Sequence, residues 1–228
     1  MELKVIARVR TDFPSKFGIP RQSGLADTKG YIVFEPEFRN DDMLAGMEEY
    51  SHLWIIWGFS EHYDKGWSPM VRPPRLGGNE KRGVFATRSP IRPNPIGLSC
   101  VRVTDIINTE DMGSVICVSG VDMVDDSPVY DIKPYLPYVE ALPEATGGFA
   151  QERYEYRLDV VIPKELEQML PEEHVGIIRD VLSQDPRPAY QNDPERVYGM
   201  EYMEYDIRFR IKGNELIICE VCKNIEKE

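Results

Sequence analysis

Apolar residues recur at every second position along much of the first 125 residues. Leu3, Val5, Ala7 and Val9 share one face of residues 3–10, with Lys4, Arg8 and Arg10 opposite and Ile6 the exception, the pattern of a half-buried strand. GYIVFEPEF, residues 30–38, reads as a second strand that Pro36 ends. HLWIIWGF, residues 52–59, is an apolar run of strand length, which predicts burial on both faces. GVFAT (83–87), LSCVRVTDII (98–107) and SVICVSGVDMV (114–124) give three more strands. The one helix expected among them is short, over NDDMLAGMEEY at 40–50, with Asn40 or Asp41 as N-cap and Leu44 and Met47 turned inward. Six strands with so little helix predict an antiparallel β-barrel or closely packed sheet rather than a doubly wound α/β fold.

The pattern changes after ALPEATGGFAQ, a small-residue seam at 141–151. RYEYRLDVVI (153–162) reads as a strand. Leu166, Met169 and Leu170 have helical spacing, and a second helix starts near Pro171 with Ile178, Val181 and Leu182 as its apolar stripe. After the irregular stretch DPRPAYQNDPERVYG, Tyr205, Ile207, Phe209 and Ile211 alternate with charged residues up to a Gly213-Asn214 turn, a hairpin signal. The fold class expected is therefore mainly β with a smaller α+β part: an N-terminal antiparallel barrel-like domain over residues 1–145 and a small C-terminal α+β domain over 150–228.

Charge alters this picture at one place. The 228-residue chain carries a net −12, which argues against broad nucleic-acid binding. Yet Val71 to Val103 holds seven basic residues against one acidic residue, a net +6 on a body that carries −18. A polyanion held at one patch fits such a distribution. No apolar run has membrane-spanning length and the first residues lack a signal-peptide pattern, so the expected address is the cytoplasm. Of four cysteines, Cys100 and Cys117 read as small core residues. Cys219 and Cys222 lie in a strand pattern, where a separation of three puts the sulfurs on opposite faces, so no metal site is expected.

The basic patch contains FATRSPIRPNPIGLS, residues 85–99, with Pro90, Pro93 and Pro95 among Arg88 and Arg92. Proline excludes helix and central strand, and it pushes Ser89, Arg92 and Asn94 toward extended backbone. Such a loop is stiff before any ligand arrives, so it presents arginines, an amide and free carbonyls at little ordering cost. It equally suits a stiff connection across one barrel end. Among the histidines, His52 reads as a core residue, His174 as solvated in a polar first helical turn, and His62 as a residue at a strand's end. Trp54, Trp57 and Phe59 read as core or dimer interface.

FATRSPIRPNPIGLS resembles the signature of the TsaA/TrmO family of S-adenosylmethionine-dependent tRNA methyltransferases. GIPRQSGL (18–25), YSHLWIIWGFSEH (50–62), DDSPVYDIKPYLPY (125–138) and QDPRPAYQ (184–191) resemble further motifs of that family, in order. Where the family has glycine in DGTP this chain has Asp126, a residue type that tolerates left-handed backbone. The resemblance implies N6-methylation of threonylcarbamoyladenosine beside the tRNA anticodon, with S-adenosylmethionine as methyl donor, by a cytoplasmic homodimer whose partner is the tRNA anticodon loop. It implies cofactor contacts at Pro20, Arg21, Gln22, Glu61, His62, Arg88 and Leu98 and in the Asp125–Asp126–Ser127 turn. Arg92, Asn94, Lys133, Asp185 and Arg187 are the candidates for tRNA contact. Asp131 and Tyr190 are the candidates for helping remove the proton from the target nitrogen. A non-catalytic RNA- or partner-binding module, or a small-molecule methyltransferase, would use the same barrel.

Overall fold

Alternation along the first half closes on itself. In the computed structural model, which describes residues 2–73, 76, 80–152, 156–187, 191 and 193–224, the strands are β1 (Ala7–Thr11), β2 (Lys29–Phe34), β3 (His52–Gly58), the two-residue β4 (Met70–Val71) and β5 (Arg82–Gly83), β6 (Ile96–Thr109), β7 (Gly113–Ser119) and β8 (Ser127–Pro134). Six of them form a closed barrel in the order β1-β2-β7-β6-β3-β8, every pairing antiparallel. Ladder irregularities at Ile56/Trp57 and Val103/Asp105 bend the strands that must curve most. The long β6 pairs β3 along its first half and β7 along its second. Inward residues such as Val9, Ile32, Leu53, Ile55, Val101 and Ile116 fill the interior.

Three strand readings change. β3 buries one face, with Leu53, Ile55 and Trp57 inward. Its other face is only half covered, and there Trp54 donates its indole N–H to Glu140 Oε1 at 2.8 Å. GVFAT is not a barrel strand: Val84–Ala86 is a 3-10 turn. The Val84 N–H goes to the Pro69 carbonyl, and the Thr87 N–H and hydroxyl return to the Val84 carbonyl. The sixth barrel strand is β8, whose sequence SPVYDIKP carries a proline near its start and another at its end. The predicted helix at 40–50 is two 3-10 turns, Asp41–Leu44 and Met47–Glu49, separated by Gly46. Asn40 does cap the first, accepting from the Asp42 N–H. After β8, a helical turn α1 (Pro137–Glu140) and a short helix α2 (Gly148–Glu152) lead to the second half.

The C-terminal part is one mixed sheet with helices. β9 (Asp159–Val161) runs parallel to β12 (Glu215–Lys223), and β10 (Tyr198–Tyr202) and β11 (Tyr205–Lys212) complete the order β10-β11-β12-β9. α3 (Lys164–Glu167) and α4 (Glu172–Ser183) accompany it, and α4 buries Ile177, Ile178, Val181 and Leu182. His174 is buried too, against the expectation of solvation. Its Nδ1 lies 2.8 Å from the Tyr202 hydroxyl, which donates to Asp12 Oδ2 at 3.1 Å. An irregularity in the β11/β12 ladder at Arg208/Phe209 breaks the alternation predicted for Cys219 and Cys222, leaving Cys219 exposed beside an exposed Glu220.

The two halves are joined through the β1–β2 loop. Phe13 and Ala26 lie in the C-terminal core rather than the barrel's, and Phe17 stacks near Tyr198 and Phe209. Aromatic side chains thus anchor this Pro- and Gly-rich loop at the seam.

Candidate active site

A cleft of about 370 Å³ opens at the barrel end where β3 stops and β6 and β8 begin, bounded on one side by the anchored β1–β2 loop. Its apolar wall is Trp57, Phe59, Ile96 and Leu98. Trp57 stands where it does because residue 97 is glycine: a Cβ there would lie 2.3 Å from the indole ring. Trp57 packs on Phe59 with centroids 4.3 Å apart, and its N–H donates to Ser99 Oγ at 3.0 Å.

The 85–99 segment forms one side of the mouth. It is stiff, as its prolines require, but it is folded into successive tight turns rather than extended. The Arg92 N–H reaches the Pro90 carbonyl and the Ile96 N–H the Asn94 carbonyl, both three-residue turns. Thr87 and Ser89 hydroxyls accept the N–H groups of Ser89 and Ile91. The Pro95 carbonyl accepts from the Phe59 N–H, which ties the segment to the end of β3. Arg88 and Arg92 both line the cleft.

Most residues assigned to the cofactor from the sequence meet here. Pro20, Arg21 and Gln22 come from the β1–β2 loop, Glu61 and His62 from a 3-10 turn after β3, Arg88 and Leu98 from the proline segment, and Ser127 from the start of β8. Arg88 Nη1 donates to Gln22 Oε1, joining two of these loops. Lys16 pairs with Glu61 at 3.4 Å. His62 has its pKa lowered, by burial first and then by Lys65 and Lys16, so its imidazole is held neutral.

Asp125 and Asp126 do not line the cleft; they build the turn that delivers Ser127. Asp126 adopts φ 65, left-handed backbone that an aspartate tolerates. Its carboxylate accepts from Arg8 Nη1 and Arg10 Nη1, each at 2.9 Å, and Asp125 Oδ1 accepts from the Thr11 N–H. Asp131 and Lys133 lie farther along β8, away from the cleft, where they pair with each other at 2.8 Å. Asn94 is exposed outside the cleft, and Tyr190 lies outside the described residues. Asp185 and Arg187 sit behind the β1–β2 loop. Arg187 Nε donates to both carboxylate oxygens of Asp185, at 3.0 and 3.1 Å, while the Asp185 carbonyl accepts from Arg21. The C-terminal QDPRP motif therefore braces an arginine of the cleft.

Among the cleft residues that the sequence reading missed, Asp122 carries chemistry. After Gly120 (φ 88) ends β7, residues 121–124 bury Val121 and Met123 in the barrel and turn Asp122 and Val124 into the cleft. Asp122 Oδ1 accepts from Ser99 Oγ at 2.6 Å, completing a chain Trp57–Ser99–Asp122. Burial raises the carboxyl to about 6, opposed by the bonds from Ser99 and the backbone of Asp122 and Ser23 and by the charge of Arg88. The available signal was an acidic residue alternating with two apolar ones.

Fold and cleft together define a barrel with a ligand site at one mouth, braced by a second domain. The N-terminal domain of tRNA-methyltransferase O matches residues 8–141, and the TrmO C-terminal domain matches residues 155–224. A tRNA (adenine(37)-N6)-methyltransferase of Escherichia coli is 39% identical over 220 residues, covering 92% of this chain and 93% of that protein. A putative S-adenosylmethionine-dependent methyltransferase of Pseudomonas aeruginosa is 37% identical over 227 residues, with 93% of each covered. The crystal structure of TrmO from P. aeruginosa superposes with a TM-score of 0.78 at 30% identity, covering 98% of this chain and 97% of that one. This chain belongs to the tRNA-methyltransferase O family.

Proposed function

We propose that the chain methylates N6 of adenosine 37 in tRNA, on the threonylcarbamoyl-modified base, with S-adenosylmethionine held in the cleft described above. The observation that carries this reading is the convergence of four chain segments, each bearing a family motif, on one cavity at the barrel mouth.

The cleft's chemistry fits the methyl donor. Its volume falls in the range of small-molecule sites, and its lining sets an apolar wall against charged and polar side chains. Arg88 suits the donor's carboxylate as a two-pronged hydrogen-bond partner. Glu61 suits an ammonium or ribose hydroxyls, and the faces of Trp57 and Phe59 suit a cation or a purine. Bound S-adenosylmethionine supplies a methyl group on a positively charged sulfur. The chain's part is then to hold the tRNA base in line with that methyl and to exclude water, work that positioning alone can make fast. Leu98 and Phe59 cover the apolar side, and the turns of residues 87–96 keep Arg88 and Arg92 at the mouth without further ordering.

Arg92 is the tRNA contact best placed for the mouth. Asn94, Lys133, Asp185 and Arg187 are retained as contacts farther out, on a C-terminal domain and barrel side that we take to bind the anticodon loop, where RNA is read through splayed bases and phosphates. Residues 1–145 are taken as the methyl-transfer unit and 150–228 as the tRNA-binding unit, acting in the cytoplasm as a homodimer. Phe85 and Trp67, 80% and 59% exposed, support a partner surface. Among the described residues no helix is long and apolar enough to cross a membrane.

Incubation of the protein with methyl-labelled donor and tRNA that carries or lacks the threonylcarbamoyl group tests the reading. Label should enter only the modified tRNA. Transfer to neither would reject the tRNA substrate.

A further inference from the structure

The target nitrogen bears an electron-withdrawing carbonyl, so its lone pair is a poor nucleophile until its proton is drawn away. A group at the cleft must accept that proton. Three cleft residues have the right chemistry. Glu61 is engaged by Lys16 at 3.4 Å. His62 sits on a 3-10 turn, with none of its ring nitrogens given a hydrogen-bond partner among the described residues that would fix its orientation. Asp122 differs from both. It stands on an extended segment pinned by Val121 and Met123 in the barrel core, and one carboxylate oxygen is fixed by a serine that is itself fixed by an indole. No ion pair within 4.0 Å engages it among the described residues.

We propose that Asp122 is the general base of the methyl transfer, oriented by the Trp57–Ser99 hydrogen-bond chain; this rests on the reading of the cleft as the donor site. In the step, the N6 lone pair forms the new bond to the methyl carbon while the methyl–sulfur bond breaks, its electron pair passing to sulfur and cancelling the positive charge. The N6–H bond leaves its electrons on nitrogen and gives its proton to the Asp122 carboxylate, which returns it to water. Charge balances, because one carboxylate and one sulfonium disappear together. Arg88 and the backbone of Ser23 act directly on this carboxylate, and the other charged or titratable groups of the cleft are Arg92 from the proline segment, Lys16 and Arg21 from the β1–β2 loop, and Glu61 and His62 from the turn after β3. Burial holds its pKa near 6, so it is ionised and ready to accept a proton at neutral pH.

The test compares wild type, Asp122→Asn and Ser99→Ala on threonylcarbamoyl-modified tRNA across pH 5–9, with calorimetric titration of S-adenosylmethionine into each. Wild-type kcat should rise to a plateau above a pKa near 6. Asp122→Asn should lower kcat by about 100-fold or more and remove that limb, while donor affinity stays within about threefold. Ser99→Ala should move the limb upward, since it removes a bond to the carboxylate. It also keeps the proposal testable should Asp122→Asn not fold. A variant Asp122→Asn with undiminished kcat overturns the assignment, as does one that loses donor affinity tenfold yet keeps kcat at saturation. A limb that Ser99→Ala leaves unmoved does the same. Wild type that binds no donor overturns the reading of the cleft, and this proposal with it.

Discussion

The mouth of the barrel and its outer face use similar residues for different purposes. At the cleft mouth, Trp57 faces inward and passes a hydrogen bond through Ser99 to Asp122, a carboxylate without an ion-pair partner within 4.0 Å among the described residues. On the outer face of the same barrel, Trp54 of β3 reaches Glu140, and Asp131 of β8 pairs with Lys133 in solvent. Both places carry a tryptophan and an aspartate. Only one desolvates its carboxylate and leaves it turned toward a cavity. The difference teaches that residue type and proximity to a motif do not make an acid or base; the partner does. Asp131 has a cation beside it and water around it, while Asp122 has neither in full measure.

That contrast can be broken. The largest separation should come from rates: about 100-fold or more lost in Asp122→Asn against less than threefold in Asp131→Asn, measured on the same modified tRNA. Equal losses would erase the distinction between mouth and outer face. Next comes stability against pH. Folding raises the Asp122 carboxyl from its ordinary 3.8 to about 6. The ionised form therefore destabilises the fold, so stability from this group is full below pH 4 and lost as pH rises through 6. Wild type should fall by about 2–3 kcal/mol relative to Asp122→Asn between pH 4 and 7, read by denaturant unfolding of both. A constant difference across that range would show a solvated carboxyl. Gly97→Ala places a methyl against the Trp57 ring and should cost about 1–3 kcal/mol and weaken donor binding. Smallest of all, Lys133→Ala should change stability by less than about 1 kcal/mol, because its pair with Asp131 is exposed on both sides.

The barrel was legible where alternation was unbroken: Ala7 and Val9, Ile32 and Phe34, and Ile116 and Val118 face inward as their spacing demands. It was illegible where local chemistry overrode the pattern. β8 was hidden because Pro128 and Pro134 disguise a strand, while GVFAT had the right composition but its N–H groups were taken by Pro69 and its own turn. β10 escaped because its turn to β11 places Met203 at φ 50, a position where glycine or asparagine is the usual signal. The turn is held from outside, by the Met203 N–H bonding the Asp12 carbonyl. His174 was misplaced for a related reason: polar neighbours along the chain do not reveal Tyr202 across the domain. In the site, motif residues such as Arg88, Gln22 and Leu98 were found because each belongs to a recognisable stretch. Asp122 was lost inside an apolar run, where only its facing away from Val121 and Met123 betrays it.

The central claim is that the mouth between the proline segment and the β1–β2 loop holds the methyl donor through Arg88. Calorimetric titration of S-adenosylmethionine into wild type and Arg88→Ala, with thermal unfolding of both, tests it most directly. The account predicts binding near one donor per chain in wild type and affinity at least tenfold weaker in the variant, with melting temperatures within about 2 °C, as expected for loss of one charge-assisted contact at the surface. Equal affinity in the two proteins, or a variant that binds weakly only because it has begun to unfold, would contradict it.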